Sequence, residues 1–96
     1  MIYQVIPSSA AQRDLKKLPP RVRQTVFNIH LPKIATEPRS AGEPLHGDLK
    51  GFWSYHFGHR PEYRILYALD DEAVKVLIVF IGTRENAYEE AHRRLT

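Results

Sequence analysis

The sequence predicts an α+β fold: an N-terminal strand and a helical hairpin packed on one face of a small, twisted, mostly antiparallel sheet of about four strands, then a short C-terminal helix. Three observations point there. Helical periodicity is confined to two stretches, residues 9–37 and 87–95. Between them, strand-like runs follow one another from Phe52 to Ile81, which reads as a meander. Alternate residues of those runs build a face that is apolar throughout and therefore needs a covering layer. Ninety-six residues are too few for two independent cores, so residues 1–96 are read as one domain.

Ile2 to Ile6 alternates, is rich in β-branched and aromatic residues and meets Pro7, which predicts the first strand. Ser8 and Ser9 are cap candidates, and Ser9 with Gln12 has capping-box spacing. Ala11, Leu15 and Leu18 then recur at helical intervals up to Pro19-Pro20, which ends one helix and opens another. In the second helix Val22, Val26 and Ile29 share a stripe, and Pro32 predicts a kink or an early end before Glu37-Pro38. Arg39 to Gly51 shows no sustained period and reads as the longest loop. Phe52–Phe57, Tyr63–Asp70 and Val74–Ile81 follow as strands, and Glu85-Asn86 caps a final helix from Ala87 to about Leu95.

A register follows from the turns. Closing Gly58 to Glu62 between two strands sets His56 opposite Arg64 and Tyr55 opposite Ile65; a turn at Asp71-Glu72 sets Tyr67 opposite Val76 and Ile65 opposite Ile78. One face then carries Trp53, Tyr55, Phe57, Tyr63, Ile65, Tyr67, Val76, Ile78 and Phe80, and belongs under the hairpin. The other mixes Ser54, His56 and Arg64 with Leu66, Leu77, Val79 and Ile81, and is expected to be open and partly wet.

Composition narrows the chemistry. Fourteen basic against eleven acidic side chains give +3, and residues 1–69 hold ten basic against five acidic, so an anionic partner is favoured and the positive charge is expected to frame the open face. The absence of cysteine removes disulfides, thiol catalysis and Cys-ligated zinc, and fits a reducing cytoplasm. Neither a membrane span nor a secretory leader is expected. His46, His56 and His59 fall on a loop, a strand and a turn without ligand spacing, so neither a metal nor another cofactor is expected. No serine sits in a nucleophile elbow and no Gly-rich phosphate loop is present.

What remains is basic and aromatic. Arg64 offers a permanently charged planar fork for phosphate oxygens, and His56 supplies an imidazole, the side-chain type suited to taking or giving a proton. Ser54 lies two residues from His56, and Arg84 with Tyr88 leaves the last strand near the His59 to Glu62 loop. Such a set suits binding and cleavage of a phosphodiester. Taken singly, each residue has a plainer reading: Arg64 as a solvated charge, His56 as a half-exposed strand residue, Tyr88 as packing for the last helix.

Across nearly its whole length the chain also resembles the RelE/ParE superfamily of bacterial toxins. The resemblance rests on Arg13-Asp-Leu-Lys-Lys-Leu-Pro19, Pro44-Leu-His-Gly-Asp-Leu-Lys-Gly51, Phe52-Trp-Ser-Tyr-His-Phe-Gly58, Glu62-Tyr-Arg-Ile-Leu-Tyr67 and Ile81-Gly-Thr-Arg-Glu-Asn86, in that order. It implies a type II toxin that acts as a metal-independent endoribonuclease on mRNA in the ribosomal A site, beside 16S rRNA. The implied reaction is attack of the substrate's own 2′-hydroxyl on the adjacent phosphate. Arg64 and Arg84 match the two family arginines, and Tyr88 lies near the family tyrosine of the last helix. Where RelE has two strand lysines this chain has Ser54 and His56, which leaves the general base and general acid open: His56 can take a lysine's place as base, and Lys50, His46 or His59 can supply a proton or a cation from the loops, while Lys50, Ser54, His46, His59 and Arg60 are the residues expected toward RNA. A cognate antitoxin is expected to cover Leu66, Leu77, Val79 and Ile81 in a hetero-oligomer. The alternatives are a ParE-like toxin that inhibits DNA gyrase, and a member that only binds antitoxin or RNA.

Overall fold

A computed structural model describes residues 2–95 of the protein. Its sheet has five strands in the order β1-β5-β4-β3-β2, with β1 (Gln4–Pro7), β2 (Glu43–Pro44), β3 (Phe52–Phe57), β4 (Tyr63–Asp70) and β5 (Lys75–Thr83). β1 runs parallel to β5, and every other pair is antiparallel. The fifth strand, absent from the sequence reading, is the two-residue β2. It lies in the segment expected to be loop, which also holds a helical turn, α4 (Pro38–Ala41), and a 3-10 turn, Gly47–Leu49. Elements this short carry no periodicity to read.

The hairpin forms where expected. α1 (Ser9–Lys17) is capped by Ser8, whose Oγ accepts from the Ala11 amide at 3.1 Å, so the cap is one residue earlier than the Ser9/Gln12 spacing suggested. α2 (Pro20–Thr25) opens on Pro20 and passes through a π turn, Val26–His30, into α3 (Leu31–Thr36). Pro32 therefore does not end the helix. The Leu31 amide reaches back five residues to the Val26 carbonyl. That wider turn makes room for a ring that cannot donate and that crowds the carbonyl one turn earlier. The stripe of α1 to α3 buries Ala11, Leu15, Val26, Leu31 and Ile34 against Tyr55, Ile65, Tyr67, Val76 and Ile78.

The β3/β4 register is as predicted, with His56 opposite Arg64 and Tyr55 opposite Ile65. The β4/β5 register is not. Tyr67 faces Ile78 and Ile65 faces Ile81, because β5 starts at Lys75 opposite Asp70 and an irregularity between Leu66 and Tyr67 leaves Val79 without a partner. One extra residue exchanges the faces of everything beyond it. Ile81 thus joins the hairpin core at 2% exposure, while Phe80 turns to the opposite side and packs with Leu49, Leu66, Ala87 and Ala91.

That second cluster corrects the expectation of an open face. The last helix, α5 (Arg84–Leu95), starts three residues earlier than predicted and lies over part of that face. Its far end is tied across the edge of β5. Arg94 forks onto both Asp14 oxygens at 2.7 and 2.9 Å and donates to the Val79 carbonyl at 3.0 Å, while Asp14 accepts from the Ile81 amide at 3.0 Å. β1 stops pairing at Ile78, so these side chains satisfy the edge that the bulge leaves exposed.

Candidate functional site

The register of β3 and β4 places Ser54, His56 and Arg64 on the face away from the hairpin, since directly paired residues share a side and alternate residues repeat it. Arg64 is the centre. Its Nε donates to Glu62 Oε2 at 2.7 Å, and its Nη1 donates to Ser54 Oγ at 3.3 Å and to the Tyr88 hydroxyl at 3.0 Å. The guanidinium carbon also lies 5.9 Å from the centre of the Tyr88 ring. The Arg64 side chain is 16% exposed and Ser54 is 1% exposed, so the cation is held from three sides and opens to solvent on a limited arc. Nη2 has no hydrogen-bond partner among the described residues, which leaves donors for an incoming anion.

Glu62 organises this group and was not singled out from the sequence. Its carboxylate binds Arg64, its Oε2 lies 4.0 Å from Arg84 Nε, and its carbonyl accepts from the Arg84 amide at 3.0 Å. One residue thus aims the first arginine, lies beside the second and fixes where α5 begins. The signal for it was the spacing of two between Glu62 and Arg64 in an extended run, which puts both side chains on one face.

The other expected residues divide. Tyr88 and His46 line one cavity of about 460 Å³, together with Leu45, Asp48, Leu49, Glu89 and His92. Arg84 is exposed beside Glu62, and His56 is exposed across from Arg64. Lys50, His59 and Arg60 are exposed on loops, and no hydrogen bond or ion pair among the described residues joins them to the Arg64 cluster. Among the proposed antitoxin contacts, Leu77 is 37% exposed and Val79 is half-buried. Leu66 and Ile81, expected on the open face, are 0% and 2% exposed: the first lies under α5, and the bulge turns the second into the hairpin core.

Charge is arranged differently from the expectation. Residues 1–42 carry seven basic and two acidic side chains, whereas residues 43–69 carry three of each. The positive excess upstream of Asp70 therefore belongs to the segment of β1 and the hairpin, not to the strands that carry Arg64. The site itself has a local excess instead, because one carboxylate, Glu62, stands beside two guanidinium groups. A fixed arginine with spare donors, a second arginine, a histidine across the ladder and a tyrosine hydroxyl can hold a phosphate, offset charge that develops on it and move a proton. No group of three or more His, Asp or Glu among the described residues is arranged to hold a metal ion.

A family model described as the ParE-like toxin of type II bacterial toxin-antitoxin systems matches residues 5–92. Toxin RelG of Mycobacterium tuberculosis is 38% identical over 88 residues, covering 92% of this chain and 98% of RelG. Among solved structures, the toxin-antitoxin complex RelBE2 from Mycobacterium tuberculosis contains a chain 37% identical, with a TM-score of 0.79, over 88% of this chain and all of that one. A mutant of E. coli toxin RelE in the free state is 24% identical with a TM-score of 0.77 over the full length of both chains, a likeness of fold.

Proposed function

Because this chain belongs to the ParE-like toxin family of type II toxin-antitoxin systems, within the RelE/ParE superfamily, we propose that it is a ribosome-dependent mRNA endoribonuclease. The observation that carries this reading is the triple tether of Arg64 by Glu62, Ser54 and Tyr88, with His56 directly across the ladder. The reaction is attack of a 2′-hydroxyl on the neighbouring phosphate, which forms a 2′,3′-cyclic phosphate and releases a 5′-hydroxyl. Arg64 offsets the charge gathered on the phosphate oxygens, and Arg84, exposed beside Glu62, adds a second cation to the same group. His56 removes the 2′-proton, a task suited to an imidazole, and the departing 5′-oxygen takes its proton from solvent water to leave as the 5′-hydroxyl. A cognate antitoxin that covers this face would silence the toxin, and Leu77 and Val79 are the apolar positions there that retain exposure.

Primer extension on a reporter mRNA after brief induction tests the reading. Wild type should give discrete stops within codons, and Arg64→Ala and Arg84→Ala should remove them together with the growth arrest. Intact mRNA with an induced DNA-damage response would instead identify a gyrase-directed toxin.

A further inference from the structure

Arg84 and Tyr88 reach the site from α5, so the site depends on how that helix is seated. Among the described residues of α5 the buried side chains are Ala87 and Ala91, which pack with Leu49, Leu66 and Phe80. Two methyl groups four residues apart offer no large knob to fix the helix along or across the strands. Polar contacts at its two ends do so. At the start, the Arg84 amide donates to the Glu62 carbonyl at 3.0 Å. At the far end, Arg94 donates to both Asp14 oxygens, to the Val79 carbonyl at 3.0 Å and, through Nε, to Glu90 at 2.9 Å, and its guanidinium carbon lies 5.2 Å from the centre of the Phe80 ring. Asp14 is itself held by the Ile81 amide, so the far end of α5 is pinned to strand backbone. The contact of His92 with Asp48 joins side chains 50% and 84% exposed and adds less.

We propose that Asp14 and Arg94 are positioning residues for the Arg64 site: by fixing the far end of α5 they hold the Tyr88 hydroxyl where it accepts from Arg64. The inference rests on the endoribonuclease reading. Tyr88 is 40% exposed, so packing does not wedge its ring, and the direction of its helix sets where the hydroxyl stands. Tyr88 precedes Arg94 by six residues, about 9 Å along the axis. Arg84 has its own anchor at the Glu62 carbonyl, so releasing the far end leaves the start of α5 in place and swings Tyr88. A displacement of about 1 Å takes the 3.0 Å contact out of hydrogen-bonding range, and Arg64 then loses one of its three tethers. The pair thus acts on the guanidinium through Tyr88, from the opposite end of the helix.

Single-turnover cleavage of a defined mRNA on programmed ribosomes tests this, below the melting midpoint of every protein used. The proteins are full-length wild type, Asp14→Asn, Arg94→Lys, Tyr88→Phe, and the two double variants that join Tyr88→Phe to each of the others. Asp14→Asn removes the charge that Arg94 grips, and Arg94→Lys keeps the cation but loses the fork. Each should slow cleavage about fivefold alone and less than about twofold in the Tyr88→Phe background, where the hydroxyl they place is already gone. Ile34→Val, which removes a buried methylene from the hairpin core, controls for lost stability and should cut at the wild-type rate. Equal slowing in both backgrounds, no slowing, or slowing matched by Ile34→Val would overturn the positioning role and leave the endoribonuclease reading standing. If wild type cuts nothing, that reading fails and takes the positioning role with it.

Discussion

Glu62, the last residue before β4, and Arg64, the second residue of that strand, stand two residues apart, and the Glu62 carboxylate accepts from Arg64 Nε at 2.7 Å. An acidic group within a site meant for a polyanion looks like a cost, since it removes part of the attraction. Its benefit is direction. The carboxylate holds the guanidinium by its Nε, and Ser54 and Tyr88 hold Nη1, so the remaining Nη2 donors are presented in one orientation.

Removing that carboxylate should therefore separate affinity from rate. Glu62→Ala leaves two arginines without their shared anion, so RNA should bind at least as tightly, while the turnover rate on programmed ribosomes falls about tenfold for want of orientation. Measuring kcat and KM separately checks this; a drop in affinity with unchanged kcat would contradict it.

Arginine geometry matters as much as its charge. Arg64→Lys keeps the cation but has no planar fork to reach Glu62, Ser54 and Tyr88 together, so cleavage should fall about 100-fold, close to the loss in Arg64→Ala. Tyr88→Phe keeps the ring beside the guanidinium and loses only the acceptor at 3.0 Å. Its rate should fall by about five- to tenfold. Single-turnover cleavage of one mRNA by the three variants ranks them.

Stability should depend on the tie between the first and last helices. The Asp14 and Arg94 side chains are only 11% and 20% exposed, and the pair also satisfies the Val79 carbonyl and the Ile81 amide at the bulge. Asp14→Ala should cost about 2–3 kcal/mol and lower the melting temperature by about 10–20 °C. Arg94→Ala should resemble it, and the double variant should cost much less than the sum of the two. Thermal melts of the three proteins measure that coupling.

The π turn places His30 against the aromatic row of the hairpin core. Its ring stacks on Phe57 at 4.0 Å, and its Nδ1 lies 2.6 Å from the Tyr55 hydroxyl. Burial, with Lys33 nearby as a smaller cause, lowers the His30 pKa below its ordinary value of 6.5. Between the two values the unfolded chain binds the extra proton, so stability from His30 is fully present above about pH 6.5 and is lost as the pH falls from there through the lowered folded value. Urea midpoints at pH 7.5 and 5.5 should differ less in His30→Gln than in wild type.

Much of this was legible in the sequence because it follows from local pattern. Period two in Phe52–Phe57 and Tyr63–Asp70, with a five-residue connection between them, gave the pairing of His56 with Arg64, and that pairing centres the site. The parts that were not legible depend on compensation at a distance. Nothing near Val79 signals a bulge, because the residue is accommodated by Arg94 and Asp14 from two other elements. The bulge then moved Ile81 inward and turned Phe80 toward α5. Pro32 reads locally as a breaker, and the π turn that admits it is a backbone adjustment with no residue signature of its own. Glu62 was visible as a motif residue, but its role required knowing that Arg84 returns to the same corner.

The central claim is that Arg64 drives cleavage of mRNA by its own 2′-hydroxyl, and the chemistry of the cut ends tests it most directly. Purified wild-type protein on programmed ribosomes should leave a 2′,3′-cyclic phosphate on the upstream fragment and a 5′-hydroxyl on the downstream one, and Arg64→Ala should leave the mRNA whole. Uncut mRNA with wild type, or equal cleavage by the variant, would contradict the claim.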